Sequence, residues 1–262
     1  MQGDRTQYWP YLALLYVSAA RTLVCNTADL RYVIKMFLSV FDIFKIGIGP
    51  SSSHTMGPMT AAARFLDDLR GGVDKIPGAG TLASVTATLH GSLAFTGKGH
   101  ATDRAVLLGR CGRRPATLDP DEAERLFAEV HKSRQDAPPD QPVLAFDPNT
   151  DLVFDYGPPL EGHANGMVLR AFDTVGNPYH VETYYSVGGG FVMTEAELRA
   201  EREGTATSLH DEKQALNFPY PFGTAKEMLA MGASSGMTIA QMKHANERQI
   251  HGDSLDGRID AL

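Results

Sequence analysis

Cysteine is nearly absent from this 262-residue chain, which carries only Cys25 and Cys111, and tryptophan occurs once. The two thiols stand far apart with no C-x-x-C pair. That excludes a cysteine-built zinc site and the usual three- or four-thiolate iron–sulfur site held by this chain alone. So low a thiol content suits a reducing, cytosolic compartment. Long apolar runs are also scarce. Tyr11 to Cys25 is mostly apolar, but Asp4 and Arg5 cancel ahead of it and it is short for a bilayer, so neither a secretory leader nor a membrane span is expected. Runs of Lys or Arg are missing and the net charge is −7, which speaks against a nucleic-acid partner. No Gly-x-Ser-x-Gly elbow, Walker loop, dinucleotide fingerprint or internal repeat is present. A Ser–His–Asp hydrolase would lack any recognisable nucleophile turn.

What the chain does hold is a composition of 43% hydrophobic and 21% charged residues, enough for one large globular domain or two modest ones. Its most informative stretch is Gly49-Pro50-Ser51-Ser52-Ser53-His54-Thr55-Met56-Gly57-Pro58. The second Gly-Pro pair opens a helix whose apolar stripe is Met59, Ala62, Ala63, Leu66 and Leu69, with Pro58 suited to its first position. Short hydroxyls ahead of such a start cap it. The free N–H groups and the positive end of the helix dipole favour a carboxylate or phosphate. His54 adds a group that titrates near neutral pH. An ordinary serine-rich cap with a solvent histidine is the plain alternative.

The remaining pattern reads as alternating elements. Residues 1–35 read as an N-terminal extension outside the fold, and Met36–Ile48 as a strand plus turn. Pro58–Arg70 is a predicted helix, Gly71–Gly80 a loop and Thr81–Leu89 a strand. Gly91 to Asp103 starts as a short helix and continues as a glycine-rich loop, after which Ala105–Leu108 is again helical. Asp119 caps a helix with Pro120 at its first position and a stripe of Ala123, Leu126, Phe127 and Val130. Asp136–Pro142 is a turn or linker. Strands are expected near Val143–Phe146, Met167–Phe172 and Tyr179–Val187, with Gly-Asn-Pro as a hairpin signal between the last two. Glu195–Thr205 reads as polar and mobile. Phe218–Gly223 marks a boundary, followed by helices at Ala225–Met231 and Ile239–Arg248. The fold class is α+β, a mixed sheet with packed helices, followed by the first helices of an incomplete all-α domain.

His90 ends a predicted strand, and His100 sits in Gly97-Lys98-Gly99-His100-Ala101-Thr102-Asp103. Such strand ends and glycine-rich loops are where sites gather in α/β architectures. Asp103 can hold an imidazole or cap the next helix. Gly188-Gly189-Gly190 is either a close-approach point or a strand-ending bulge. His163-Ala164-Asn165-Gly166 reads as a turn entering a strand.

Taken together and in order, the strings GPSSSHTMGPM, TLHGSLAFTGKGHATD with the following AVLLG, HANGM, YYSVGGGF and AQMKHANE resemble the bacterial iron–sulfur-dependent L-serine dehydratases, or L-serine ammonia-lyases. The resemblance runs from Met36 to about Glu247. It implies a β domain over residues 36–217, similar to a small domain of some phosphoglycerate dehydrogenases, and the start of an α domain over 218–262. It implies deamination of L-serine to pyruvate and ammonia, with a [4Fe-4S] cluster as Lewis acid on the substrate and a positioned base near neutral pKa.

The same resemblance implies His54 as base or proton shuttle, with His100 and Asp103 as further catalytic candidates. Ser51, Ser52, Ser53, Thr55 and Asn246 are the implied substrate binders. The cluster ligands are expected on an α domain beyond this chain's end, so the chain is read as a truncated single-chain enzyme, inactive alone and homo-oligomeric at full length. Where the family pattern has His-Pro-Asn, this chain has His163-Ala164-Asn165. A non-catalytic amino-acid-binding regulatory module is the alternative function.

Overall fold

The computed structural model describes residues 39–71, 75–136, 138, 143–203, 218–222 and 224–262. The chain divides into two compact units, one of Phe44–Ala206 and one joining the residues up to Ile43 with Thr207–Leu262.

The larger unit is built on a mixed seven-stranded sheet in the order β2-β3-β1-β5-β6-β7, with β4 pairing β1 off that path. The strands are β1 (Leu82–Gly91), β2 (Gln135–Asp136), β3 (Leu144–Ala145), β4 (Leu152–Asp155), β5 (Asn165–Asp173), β6 (Pro178–Gly188) and β7 (Phe191–Thr194). Alternation of β-branched and apolar residues makes β1 the central strand. It runs parallel to β3 and β4 and antiparallel to β5, where Leu89 faces Met167 and His90 faces Gly166. The β5–β6 and β6–β7 pairs are antiparallel. The first hairpin closes on Asp173, whose carboxylate accepts the N–H groups of Val175 (3.0 Å) and Asn177 (2.8 Å).

Helices α1 (Gly57–Arg70), α2 (Ser92–Thr96), α3 (Thr102–Arg110), α4 (Pro120–Ser133) and α5 (Glu195–Glu203) accompany this sheet. One apolar cluster joins Ala61, Ala62, Phe65 and Leu69 of α1 to Val106 and Leu107 of α3, Val130 of α4, and Val85, Ala87, Leu89, Leu169 and Tyr184 of the sheet. Burying a side chain such as Phe65 contributes on the order of 2 kcal/mol. Helices α1 and α3 cross closely at Gly109, where a Cβ would run into the Met59 carbonyl. The fold class is therefore α+β, a mixed sheet with packed helices.

In the smaller unit, a single helical turn, Val40–Ile43, precedes the larger unit in sequence. It groups with α6 (Ala225–Ser235), α7 (Ile239–His251) and α8 (Leu255–Asp260). Thr224 and Thr238 open α6 and α7 with reciprocal capping boxes to Glu227 and Gln241. Helix α7 buries Met242, Asn246 and Glu247.

The local signals place most elements well, and the departures have identifiable causes. The apolar run after Met36 does not continue as a strand: Val40–Ile43 is helical, because Ser39 and Asp42 cap it reciprocally. Glu195–Glu203 is a helix rather than a mobile segment. Thr194 and Glu197 cap each other at its start, and Arg64 of α1 grips the Glu197 carboxylate at 2.6 Å. The loop at Gly97–His100 is a 3₁₀ turn. Strands β4 and β7, four residues each, went unrecognised because so short a run carries little periodicity. Residues 1–35, Cys25 and most of the Asp136–Pro142 segment lie outside the described residues.

Candidate active site

The serine-rich stretch folds as a tight π turn, Ser52–Met56, running directly into α1. Ser51 is extended (φ −139°, ψ 135°) and its hydroxyl accepts the His54 N–H at 3.1 Å. The turn is tied to α3 by two hydroxyls. Thr55 donates to the His100 carbonyl at 2.7 Å, and Thr102 donates to the His54 carbonyl at 2.5 Å. It is also tied to β6: a Cβ on Gly57 would overlap the Ser186 hydroxyl, so only glycine lets the turn sit this close.

The end of β1 supplies the other half. After His90, Gly91 takes φ +56°, and a Cβ there would strike the Ala164 carbonyl. This sharp exit places Ser92 at the start of α2, where its N–H bonds to the Ala164 carbonyl at 2.8 Å. Its hydroxyl then lies 3.0 Å from His54 Nε2. Ser53 Oγ lies 2.9 Å from His54 Nδ1, so a serine hydroxyl flanks the imidazole on each side. The His100 ring stands 4.9 Å from that of His54, tilted by 40°. Its Nδ1 is 2.9 Å from the Thr96 carbonyl. A carbonyl only accepts, so Nδ1 carries the proton and Nε2 keeps its lone pair in the neutral ring.

Burial lowers the pKa of His54 below 6.5, the neighbouring His100 lowers it further, and hydrogen bonding to the Ser92 backbone opposes both. At neutral pH the ring is therefore uncharged, with one N–H and one lone pair. One flanking serine accepts from it while the other donates to it. A cavity of about 270 Å³ adjoins this loop, lined by Gly49, Thr55, Ala101, Arg104, Leu108 and Glu124 among others.

Ser51, Ser53, His54, Thr55 and His100 thus meet in one cluster, with Ser52 exposed at its edge. Asp103 does not join them. Its carboxylate accepts the Arg104 N–H at 2.8 Å and lines a different cavity. Asn246 belongs to the smaller unit, where its buried amide holds both backbone polar groups of Tyr220, at 2.9 and 2.7 Å.

Two residues that sequence reasoning did not single out, Ser92 and Ser186, belong to this end of the sheet. Ser92 partners His54, and the signal for it was its place directly after the strand-ending His90-Gly91. Ser186 Oγ is buried with no partner among the described residues, and Asn165 donates to the Ser186 carbonyl at 3.1 Å. His163 Nδ1 accepts the Asn165 N–H at 3.1 Å, which makes His-Ala-Asn-Gly the expected turn into β5.

The described residues do not fit an iron–sulfur cluster. Cys111 is buried at the end of α3, and burial, with Asp136 nearby, pushes its thiol up to about 12. It is therefore a protonated core thiol rather than a thiolate ligand. No group of three or more metal-ligating side chains occurs among the described residues. No helix among them is long and apolar enough to cross a membrane.

Together, the fold and the cluster define an α+β domain that presents a neutral imidazole between serine hydroxyls at the end of its central strand. The family model "Serine dehydratase beta chain" matches residues 39–197, and the chain belongs to that family. Its relatives include proteins named L-serine dehydratase. The one from Streptomyces coelicolor is 41% identical, over 81% of this chain and 44% of its own length. That from Helicobacter pylori (strain ATCC 700392 / 26695) is 40% identical, over 81% of this chain and 43% of its own. L-serine dehydratase 1 of Escherichia coli K12 is 38% identical, over 82% of this chain and 44% of its own. The chain thus spans less than half the length of the curated relatives it matches.

Proposed function

We propose that this chain supplies the serine–histidine portion of an L-serine ammonia-lyase site, with His54 as the group that takes the Cα proton. In that reaction the Cα–H and Cβ–OH bonds break and water leaves. The resulting 2-aminoacrylate tautomerises to an imine, which water hydrolyses to pyruvate and ammonia.

The carrying observation is the His54 imidazole, held at both nitrogens by Ser53 and Ser92 and kept neutral by burial. A base whose pKa lies somewhat below neutral is unprotonated and ready at working pH. The serine hydroxyls move a proton onward from the ring, whichever tautomer it holds. The N–H groups of Ser52 and Ser53 open the turn and have no acceptor among the described residues, which suits them to the substrate carboxylate. Thr55 and Thr102 position the turn rather than bind substrate, since both hydroxyls are already committed to backbone carbonyls. Loss of the Cβ hydroxyl is left to groups outside the described residues, and any [4Fe-4S] cluster would be held there too. The reaction belongs in this reading to the reducing cytoplasm.

The test is a chimera in which this chain replaces the aligned portion of the Streptomyces coelicolor relative, loaded anaerobically with iron and sulfide. Pyruvate release from L-serine, abolished by His54→Ala, is the expected result. A folded chimera that makes no pyruvate overturns the reading. Tight L-serine binding by the chain alone would favour an amino-acid-binding module instead.

A further inference from the structure

Ser186, near the end of β6, is 2% exposed, and its hydroxyl has no hydrogen-bond partner among the described residues. A buried hydroxyl left unpaired is costly, and native folds hold few of them. Its surroundings give the reason. A Cβ built on Gly57 would overlap this hydroxyl and lie 3.5 Å from the Ser52 carbonyl, so the three groups meet at the head of α1. The Ser52 carbonyl accepts the Gly57 N–H, which closes the π turn that carries His54. A π turn is a rare, strained winding found mostly at functional positions. Something outside the turn must hold it.

The end of the β6–β7 hairpin does so. Ser186 packs on Gly57, and Gly190, at φ +73°, lies against Met56, where a Cβ would sit 3.4 Å from the methionine methyl. The Ser186 carbonyl accepts the Asn165 amide at 3.1 Å. The residue before Asn165 holds the Ser92 N–H on its carbonyl at 2.8 Å. Ala164, Asn165 and Ser186 therefore form one strip that joins both flanks of the His54 imidazole, Ser92 on one side and the π turn on the other.

We infer that Ser186 is a positioning residue for His54: packed on Gly57, it sets the winding of Ser52–Met56 and keeps that turn in register with Ser92. Its hydroxyl is the second donor for the Ser52 carbonyl. A carbonyl oxygen accepts two bonds, so a slight closing of the turn, as an anion settles on the Ser52 and Ser53 N–H groups, gives Ser186 its missing partner. Ser186 acts through the turn and not on the substrate. The consequence for turnover rests on the lyase reading, but the placement of His54 does not.

The test is the His54 titration followed by NMR in the full chain, in Ser186→Ala and Ser186→Cys. Removing an unpaired hydroxyl should leave the melting temperature nearly unchanged. The His54 midpoint should nevertheless rise toward 6.5, as the loosened turn lets water reach the ring. Ser186→Cys fills similar space with a much weaker donor and should move the midpoint in the same direction, which separates hydrogen bonding from packing. In the Streptomyces coelicolor chimera both variants should lower kcat by about tenfold or more with KM little changed. An unchanged His54 midpoint in Ser186→Ala overturns the inference, whatever happens to stability. A midpoint that moves in Ser186→Ala but not in Ser186→Cys overturns the role given to the hydroxyl. Should Ser186→Ala fail to fold, Ser186→Cys alone decides. A chimera that makes no pyruvate would remove the lyase reading and leave the titration result standing.

Discussion

The Glu247 carboxylate, 1% exposed on α7, accepts the Ser39 hydroxyl at 2.7 Å from 208 positions away in the chain. Its other oxygen accepts the Val40 N–H at 2.6 Å, so one buried side chain caps the turn at Val40–Ile43. Lys243 and His251, on the same helix, lie 3.3 and 3.6 Å from it.

Glu247→Ala should destabilise the smaller unit by about 2–3 kcal/mol, because buried bonds to a charged group are lost and their donors are left unpaired. Ser39→Ala should cost about 1 kcal/mol. Denaturant unfolding, with hydrogen exchange followed at Ile239–His251, reads both. Equal protection in Glu247→Ala and the unaltered chain would show that the clasp contributes nothing.

His54 should titrate below 6.5 in an NMR pH series, since burial and His100 both lower its pKa. The sign for stability follows from linkage. The unfolded chain takes up this proton near 6.5, so between that pH and the folded pKa it holds more protons than the folded chain. Stability from a neutral His54 is complete above pH 6.5 and is lost as pH falls through its folded value. His90 and His163 are shifted in the same direction, chiefly by burial. The melting temperature should therefore be lower at pH 5.5 than at pH 7.5 by about a few degrees, and the slope should be shallower in His54→Gln. A midpoint at or above 6.5 for His54 would contradict the burial seen here.

Arg110 and Asp136 form a buried ion pair at 2.7 Å, with side chains 4% and 2% exposed and the guanidinium 3.6 Å from the centre of the Phe146 ring. Burial raises the Asp136 pKa, and Arg110 works against that. Asp136→Ala strands a buried cation and should cost about 3–5 kcal/mol. The double variant Arg110→Met with Asp136→Leu should recover most of that loss, as measured by urea unfolding. A double variant no more stable than Asp136→Ala would mean that the pair itself carries the stability.

Gly109→Ala should destabilise the larger unit by about 1–3 kcal/mol through overpacking. The added methyl meets the Ala62 side chain at 2.8 Å and presses on the Met59 carbonyl, so α1 and α3 must move apart. Because α3 also carries Thr102, the same variant should alter the His54 chemical shift. An unchanged melting temperature would mean that the helices yield without cost.

Much of the fold was legible in the chain because its signals are local. Asp119 and Pro120 start α4, and the Asp119 carboxylate accepts the N–H groups of Asp121 and Glu122 as its cap, at 2.9 and 3.0 Å. Gly-Asn-Pro closes the β5–β6 hairpin, and alternation marks β1, β5 and β6. The failures fall where a local pattern competes with a distant partner. Val40–Ile43 has a strand-like composition, yet Ser39 and Glu247 hold it as a helical turn. Glu195–Glu203 reads as a solvated charge run, yet Arg64 anchors it to α1.

The candidate site divides in the same way. That Ser51 to Thr55 would form a capped turn at the head of α1 was determined by the sequence itself, since each bond of that cap spans four residues or fewer. Which groups surround His54 was decided only by the tertiary structure. Ser92 reaches the imidazole from 38 positions away, through the exit angle of Gly91 and the register of β1. Asp103, three residues after His100, turns to another cavity because the helix rotates successive side chains by about 100°. Short-range hydrogen bonding is written in residue types. Strand register and helix rotation arise only when the whole core packs.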